Sequence, residues 1–433
     1  MRNDTSVKHQ ILSLFPKKLQ RYLLLYLKFK TPYYKKRQHE RVELVKKQGY
    51  ANVLFIASSL AMWRYQKIYE LMHREKCFRT MIIILPYKTF SEHEKERSVT
   101  QLKKYFNGQN VKFVDGTTPG FDCDEWIKIN NPDIIFYPQQ YCGVFGNAFD
   151  SDYLMDRLVC QIPYALDTIY AEWIYNTFLT NNAWKLFYQT EYHLNEAKSL
   201  AANQAKNVEV VGEPHMDEYK LATHTNPWKN CGKALKKVIW APHFSINANP
   251  WLHRPGFLEL AEPMLKLAKD YEDKLQFAFK PHPRLKSELY NAQGWGKEKT
   301  DSYYQEWADL VNGQVETGSF IDLFYHSDAM IHNCGSFTAE YLISGHPVMF
   351  FTHNVEDVKS NQNSFGRDCL DCHYIGQSIE DIQHFIKKTI INGDDPKANT
   401  RKALLKKYFH TNDKTTAERV VESIKSSLNF QLI

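Results

Sequence analysis

The chain has no apolar run near the ~18–20 residues that span a bilayer, which excludes a bundle of membrane helices. No apolar run of signal-peptide form precedes a small-residue cleavage site. Glycine is sparse, 18 in 433 residues, and never takes the spacing of a dinucleotide or phosphate-loop fingerprint. Asn107-Gly108, Asp115-Gly116 and Gly143 with Gly146 read as turns. The eight cysteines are scattered, which fits reduced thiols in a cytoplasm better than a disulfide scaffold. Cys369-Leu370-Asp371-Cys372-His373 has the form of a covalent haem attachment. That chemistry needs export, and no second ligand pair stands at zinc spacing, so free thiols are the expectation. Low-complexity linkers and short-period repeats are also missing.

Charge is present but unevenly placed. Residues 1–47 hold 13 Lys/Arg against 3 Asp/Glu, while the whole chain is only +6. The remainder is therefore slightly acidic, which argues against a nucleic-acid binder. Within residues 8–47, Ile11, Leu12, Leu14, Phe15, Leu19, Tyr22, Leu23, Leu24, Leu25, Tyr26, Leu27 and Phe29 alternate with dense Lys/Arg. A basic helix of this kind can lie on an anionic membrane surface, or pack on the body with a solvated basic face. Both readings stay open on sequence alone.

From Asn52 onward short apolar runs alternate with helical patterns. Strands are expected at Val53–Ala57, Thr80–Leu85, Val111–Val114, Asp133–Tyr137, Trp184–Thr190 and Val208–Val211. After the polar stretch Thr223–Gly232 they resume at Lys237–Ala241, Gln276–Lys280, Val315–Thr317, Ala329–His332 and Pro347–Phe351. Helices fit Ala61–His73, Pro255–Tyr271, Ile321–His326 and Phe337–Ser344, and residues 379–427 look mostly helical. Strands alternating with helices imply parallel sheets with crossovers. The expected organisation is a basic segment 1–47, a first doubly wound domain 48–222, and a second doubly wound domain 223–433 with a helical tail. In such sheets ligands gather beyond the carboxyl ends of the strands.

Four segments stand at such ends. In the first, a strand ends at His332, Gly335 permits a tight turn, and Ser336 can cap a helix running through Phe337, Thr338 and Glu340. A helix start suits a phosphate, and Glu340 could take a pair of donor hydroxyls. Gly345 then ends the helix. In the second, Lys280-Pro281-His282-Pro283-Arg284, three cationic or proton-carrying groups stand in a proline-stiffened loop fit for a diphosphate. The third, Ala241-Pro242-His243-Phe244-Ser245, offers His243 to the same place. In the fourth, Gly212-Glu213-Pro214-His215-Met216-Asp217, Gly and Pro fix the chain path and Asp217 can cap a helix.

Taken in order, these segments resemble the CDP-glycerol glycerophosphotransferase family, the polymerases of teichoic-acid-type chains. The family's G-x-P-x-x-D is matched by Gly212, Pro214 and Asp217. Its A-P-T-(F/W) strand end is matched by Ala241-Pro242-His243-Phe244, and its K-x-H-P by Lys280-Pro281-His282-Pro283. Its S-D-x-x-I-(T/S)-D-Y-S-S-x-x-x-(D/E), followed by a P-(I/V) strand, is matched by Ser327 to Ser336, Glu340 and Pro347-Val348. The last segment also resembles the S-G-G-x-x-E-E turn of UDP-sugar epimerases, which share the fold. The resemblance covers roughly residues 207–360. Two departures stand out. His332-Asn333-Cys334-Gly335-Ser336 replaces Thr-Asp-Tyr-Ser-Ser, and Gln161 to Asp167 contains no His where the polymerases carry T-W-x-G-x-P with one.

The resemblance implies a GT-B-like α/β fold, two facing Rossmann-like doubly wound domains with a basic amphipathic N-terminal helical segment. It implies transfer from a CDP-linked donor to the hydroxyl of a saccharide or lipid-linked polyol acceptor. His243, Lys280, His282, Arg284, His332, Gly335, Ser336, Phe337, Thr338 and Glu340 would bind the donor. His282 would also assist catalysis, and Asp167 or His193 would be the base. No cofactor or metal is expected, because cationic side chains neutralise the diphosphate. Enzymes that use a nucleotide sugar, and a non-catalytic nucleotide-binding scaffold, are the alternatives. No nucleic-acid partner is expected; an anionic membrane surface is a further possible partner of a cytoplasmic enzyme.

Overall fold

The computed structural model describes residues 16–170, 172–221, 224–246, 256–318, 320–409 and 414–431. The chain divides into two compact units. The first comprises Met1–Tyr164, Ala171–Pro214 and Thr411–Ile433; the second comprises Ala165–Tyr170 and His215–His410.

In the first unit, β1 (Ala51–Ala57), β2 (Phe78–Ile84), β3 (Val114–Asp115), β4 (Ile134–Phe136), β5 (Leu158–Gln161), β6 (Lys185–Tyr188) and β7 (Val208–Val210) form one sheet. Its order is β3-β2-β1-β4-β5-β6-β7, and every pairing is parallel. The β1 run Ala-Asn-Val-Leu-Phe-Ile-Ala is buried along nearly its whole length, as a strand covered by helices on both faces must be. The rings of Phe55 and Phe136 stack at 4.5 Å across neighbouring strands. The helix Gln66–Arg74 buries Ile68, Tyr69 and Met72, one face of a 3.6-residue period.

Two features of this unit differ from expectation. β5, four buried residues, was not among the expected strands, because Cys160 and Gln161 break its apolar run. The helix Thr416–Ser427 joins this unit, not the second domain with the rest of the tail. Its Val420, Val421 and Ile424 enter the same core as β1 and β2, and Lys425 donates to Glu75. An amphipathic helix declares its apolar face but not its partner.

The N-terminal segment also belongs here, although Ile11, Leu12, Leu14 and Phe15 lie outside the described residues. The helix Thr31–Gln48 is packed rather than free. Gln38 donates to the carbonyls of Met155 and Asn182, Val45 is fully buried, and Arg41 pairs with Asp133. Lys35 donates to Ala183 O, and burial lowers its pKa to about 8.

The second unit repeats the plan with β8 (Lys236–Ala241), β9 (Leu275–Phe279), β10 (Gly313–Val315), β11 (Ala329–His332), β12 (Val348–Phe351) and β13 (Tyr374–Gly376). The parallel order is β10-β9-β8-β11-β12-β13. Its core stacks Trp240 against Phe279 at 5.0 Å, with Phe257 and Trp307 beside them. In both units the chain order reverses between the first strand and its later neighbour, β1/β4 and β8/β11. Such switch points open a crevice at the carboxyl ends of the strands. Among the described residues no helix is long and apolar enough to cross a membrane.

Candidate active site

Three of the four expected segments follow β8, β9 and β11, which are neighbours in the sheet order β9-β8-β11. Parallel register therefore delivers their loops to one edge. Asn333 Oδ1, after β11, accepts the His243 backbone N–H at 2.7 Å, and Cys334 Sγ donates to Ala241 O at 3.2 Å. The β9 loop is fixed to the β8 loop in the same way, because His282 N–H donates to Pro242 O at 3.0 Å. The rings of His243 and His282 then lie 5.1 Å apart. Phe244 packs against both of them, with the Arg284 guanidinium 4.3 Å over its face.

The hydrogen bonds set the protons on both rings. Nδ1 of His282 accepts the Arg284 N–H at 3.1 Å, and Nδ1 of His243 accepts the Ser245 N–H at 3.2 Å. Each neutral ring therefore carries its proton on Nε2 and can donate it to an anionic oxygen. Lys280 is buried, and its Nζ donates to Gly318 O at 2.9 Å. Burial lowers its pKa to about 8, partly opposed by Glu316 and Cys334. A phosphate beside it would restore full charge.

The helix after β11 is shorter than expected. Phe337–Glu340 is α-helical, and Tyr341–Ser344 continues as a 3-10 turn. Ser336 has helical dihedrals and makes no side-chain cap, which corrects the expected capping role. Gly345 does end the run, at φ +72°, a left-handed value that favours glycine. Thr338 is fully buried, its hydroxyl donating to Cys334 O at 3.2 Å, and Glu340 is buried beside it. Phe337 packs on Phe320 and Phe324. His332 is 1 % exposed and faces His373. Gly335, Ser336 and Phe337 are the partly exposed residues of this segment, with Thr338 and His332 buried beside them.

Asp167 and His193 fall in different units. Asp167 lies in the second-unit strip Ala165–Tyr170. Asn363 ties down that strip, donating from Nδ2 to Asp167 O at 2.8 Å and from its backbone N–H to Thr168 O at 2.9 Å. Burial pushes the Asp167 carboxyl from 3.8 up to about 7. His193 is buried in the first unit at the start of the helix Glu191–Leu200, its Nδ1 2.7 Å from the Thr190 hydroxyl that caps that helix. Asp217 is inside the helix Pro214–Tyr219 and does not cap it. Among the described residues no cluster of His, Cys, Asp and Glu is arranged to hold a metal.

Phe244, Asn333 and His373 are the contributors that sequence reasoning missed. The neighbouring motifs signalled Phe244 and Asn333. For His373 the sole signal was an unexplained Cys-x-x-Cys-His.

Two doubly wound parallel sheets, with cationic and imidazole side chains gathered at the carboxyl ends of the second, define a GT-B-like enzyme that handles a nucleotide-linked donor. The model of the CDP-glycerol:poly(glycerophosphate) glycerophosphotransferase family matches residues 174–426, and the chain belongs to that family of transferases. A search of curated protein sequences returns no match. Among solved structures the chain is similar to MnaA of S. aureus, solved with UDP, at 12% identity and TM-score 0.57, covering 88% of this chain and 98% of that one. A putative UDP-N-acetylglucosamine 2-epimerase from Listeria monocytogenes gives 13% identity and TM-score 0.56, covering 89% and 100%. The wall teichoic acid polymerase TagF gives 11% identity and TM-score 0.54, covering 95% and 97%. At these identities the likeness is one of fold.

Proposed function

We propose that the enzyme transfers glycerol phosphate, or a closely similar polyol phosphate, from a CDP-linked donor to a hydroxyl of a teichoic-acid-like polymer. The gathering of His243, Lys280, His282 and the Gly335-Ser336 turn at three neighbouring strand ends carries this reading. The acceptor oxygen attacks the β-phosphorus, forming a new P–O bond. The bond from that phosphorus to the bridging oxygen breaks, and CMP leaves with the electron pair. Lys280 and the Nε2–H groups of His243 and His282 offset charge on the diphosphate. Asp167, held near neutrality by burial, takes the acceptor proton. The acceptor is a saccharide or a lipid-linked polyol.

The N-terminal segment supports peripheral attachment to an anionic membrane. Leu19, Tyr22, Tyr26, Leu27 and Tyr33 are exposed large apolar side chains among Lys17, Lys18, Lys28 and Lys30. CMP release from CDP-glycerol, in the presence of a polyol-phosphate-primed lipid acceptor, tests the reaction. Turnover of a UDP-linked donor with none of CDP-glycerol would overturn it.

A further inference from the structure

His332 and His373 meet with their Nε2 atoms 3.1 Å apart, both essentially buried. Their other bonds dictate the protons. Nδ1 of His332 lies 3.1 Å from the Cys334 backbone N–H, which can only donate, so this nitrogen must accept. Neutral His332 therefore carries its proton on Nε2 and gives it to Nε2 of His373. That leaves the His373 proton on Nδ1, where it donates to Cys369 O at 2.8 Å. One arrangement satisfies all three bonds. A charged ring at either position would set two N–H groups against each other. Burial also disfavours charge on His373, lowering its pKa to about 3 against the hydrogen bond to Cys369 O, and Lys397 and Arg401 push the same way as burial. Phe350 walls both rings, and an apolar surround strengthens each bond.

We propose that His373 is a positioning residue for the donor loop: through His332 it fixes the proton arrangement that holds the Cys334 amide, and with it the turn Gly335-Ser336. The inference rests on reading that turn as part of the donor site. It explains the Cys-x-x-Cys-His segment without haem or metal ligation. The helix Ser364–Asp371 ends just before His373 and supplies Cys369 O as the terminal acceptor. It also accounts for His332 at a position where the family carries Thr, since a Thr hydroxyl is too short to bridge His373 and Cys334 together.

Two measurements on the full chain test it. Long-range 1H–15N spectra at pH 7 should show His332 protonated on Nε2 and His373 on Nδ1. The opposite tautomer at either ring, or a charged ring, overturns the relay whatever the enzyme turns over. His373→Leu removes the acceptor and should raise KM for CDP-glycerol about ten-fold while kcat changes less than about two-fold. His373→Gln, whose amide can accept at the same place, should recover most of that loss. Wild-type KM in a folded His373→Leu protein overturns the proposal. So does a fall in kcat and melting temperature without a change in KM, which marks a pair that only supports the fold. If the tautomers stand but the wild-type enzyme does not turn over CDP-glycerol, the donor reading has failed, and the positioning role fails with it.

Discussion

A carboxyl held near pH 7 has two consequences at Asp167, one for rate and one for stability. As the proposed base it must be ionised, so kcat/KM should rise with pH and level off above about 7. Asp167→Asn should lose about a hundred-fold in kcat and lose that limb of the profile. The stability effect has the opposite sign. The folded pKa is raised from 3.8 to about 7, so the fold favours the neutral acid. That stability is fully present below the unfolded value and is lost as pH rises through the folded one. Melting temperature should therefore fall across this window in the wild type and fall less in Asp167→Asn. His282→Ala should lower kcat/KM by about a hundred-fold, because it removes one of the proposed donors to the diphosphate. His193, three residues into the helix that follows β6, is the alternative base, and His193→Ala tests it: CMP release near normal leaves the role to Asp167, and a loss of about a hundred-fold gives it to His193. The placement of Lys280, His282 and His243 after strands was legible, because each follows a short apolar run that ends in a turn. Asn333 was not. It stands where the family has Asp, and only the adjacency of β8 and β11 shows that its task is to accept a backbone N–H, which an amide oxygen does without a charge.

Elements are held to one another at points a local pattern does not show. A Cβ on Gly366 would lie 2.0 Å from Thr168 O and 2.2 Å from Gln362 Oε1. The strip bearing Asp167 can therefore approach the helix Ser364–Asp371 only over a glycine. Gly366→Ala should cost about 2 kcal/mol in denaturant unfolding and reduce turnover by displacing Asp167. Unchanged stability with full activity would mean that the strip has room to move. The helix Thr416–Ser427 offers a second test. Ile424 is fully buried with Val420 in the core of the first unit. Ile424→Ala should cost about 2–4 kcal/mol, as removal of a core side chain does. If that helix were a loosely docked tail, the cost would fall below about 0.5 kcal/mol. Strands such as β1 and β11 were legible because apolar runs bounded by turn residues have few other uses. β5 and β13 were not: Leu158–Gln161 holds a Cys and a Gln, and Tyr374–Gly376 ends in Gly, so neither reads as a continuous apolar run. The Phe337–Ser344 helix was placed correctly but misjudged in kind, since sequence does not distinguish an α turn from a 3-10 turn at a helix end.

At the scale of the whole molecule the unequal charge acquires a location. Part of the basic N-terminal surplus is internal, since Lys35 is hydrogen-bonded inside the first unit and Arg41 pairs with Asp133. The rest surrounds an apolar strip. Leu19, Tyr22 and Tyr26 recur at helical spacing, Tyr22 stacks on Tyr26 at 4.3 Å, and Leu27 is 70% exposed. A lone exposed leucine needs no explanation, but a run of aromatic and aliphatic groups ringed by lysines fits the boundary between headgroups and acyl chains. Such a surface suits an enzyme whose growing polymer is anchored in a bilayer. The full chain should co-sediment with vesicles containing phosphatidylglycerol, and less so as salt screens the lysines. Replacing Tyr26 and Leu27 together by Glu should weaken that partition about ten-fold or more, since each removes apolar area and adds a repelled charge. Turnover of CDP-glycerol on a short water-soluble acceptor should not change, because neither residue belongs to the site in the second unit. Turnover on a lipid-linked acceptor in vesicles should fall with the binding. Equal partition of the double variant would assign the strip to a protein partner or to self-association instead, and the basic segment would then lose its connection to the membrane.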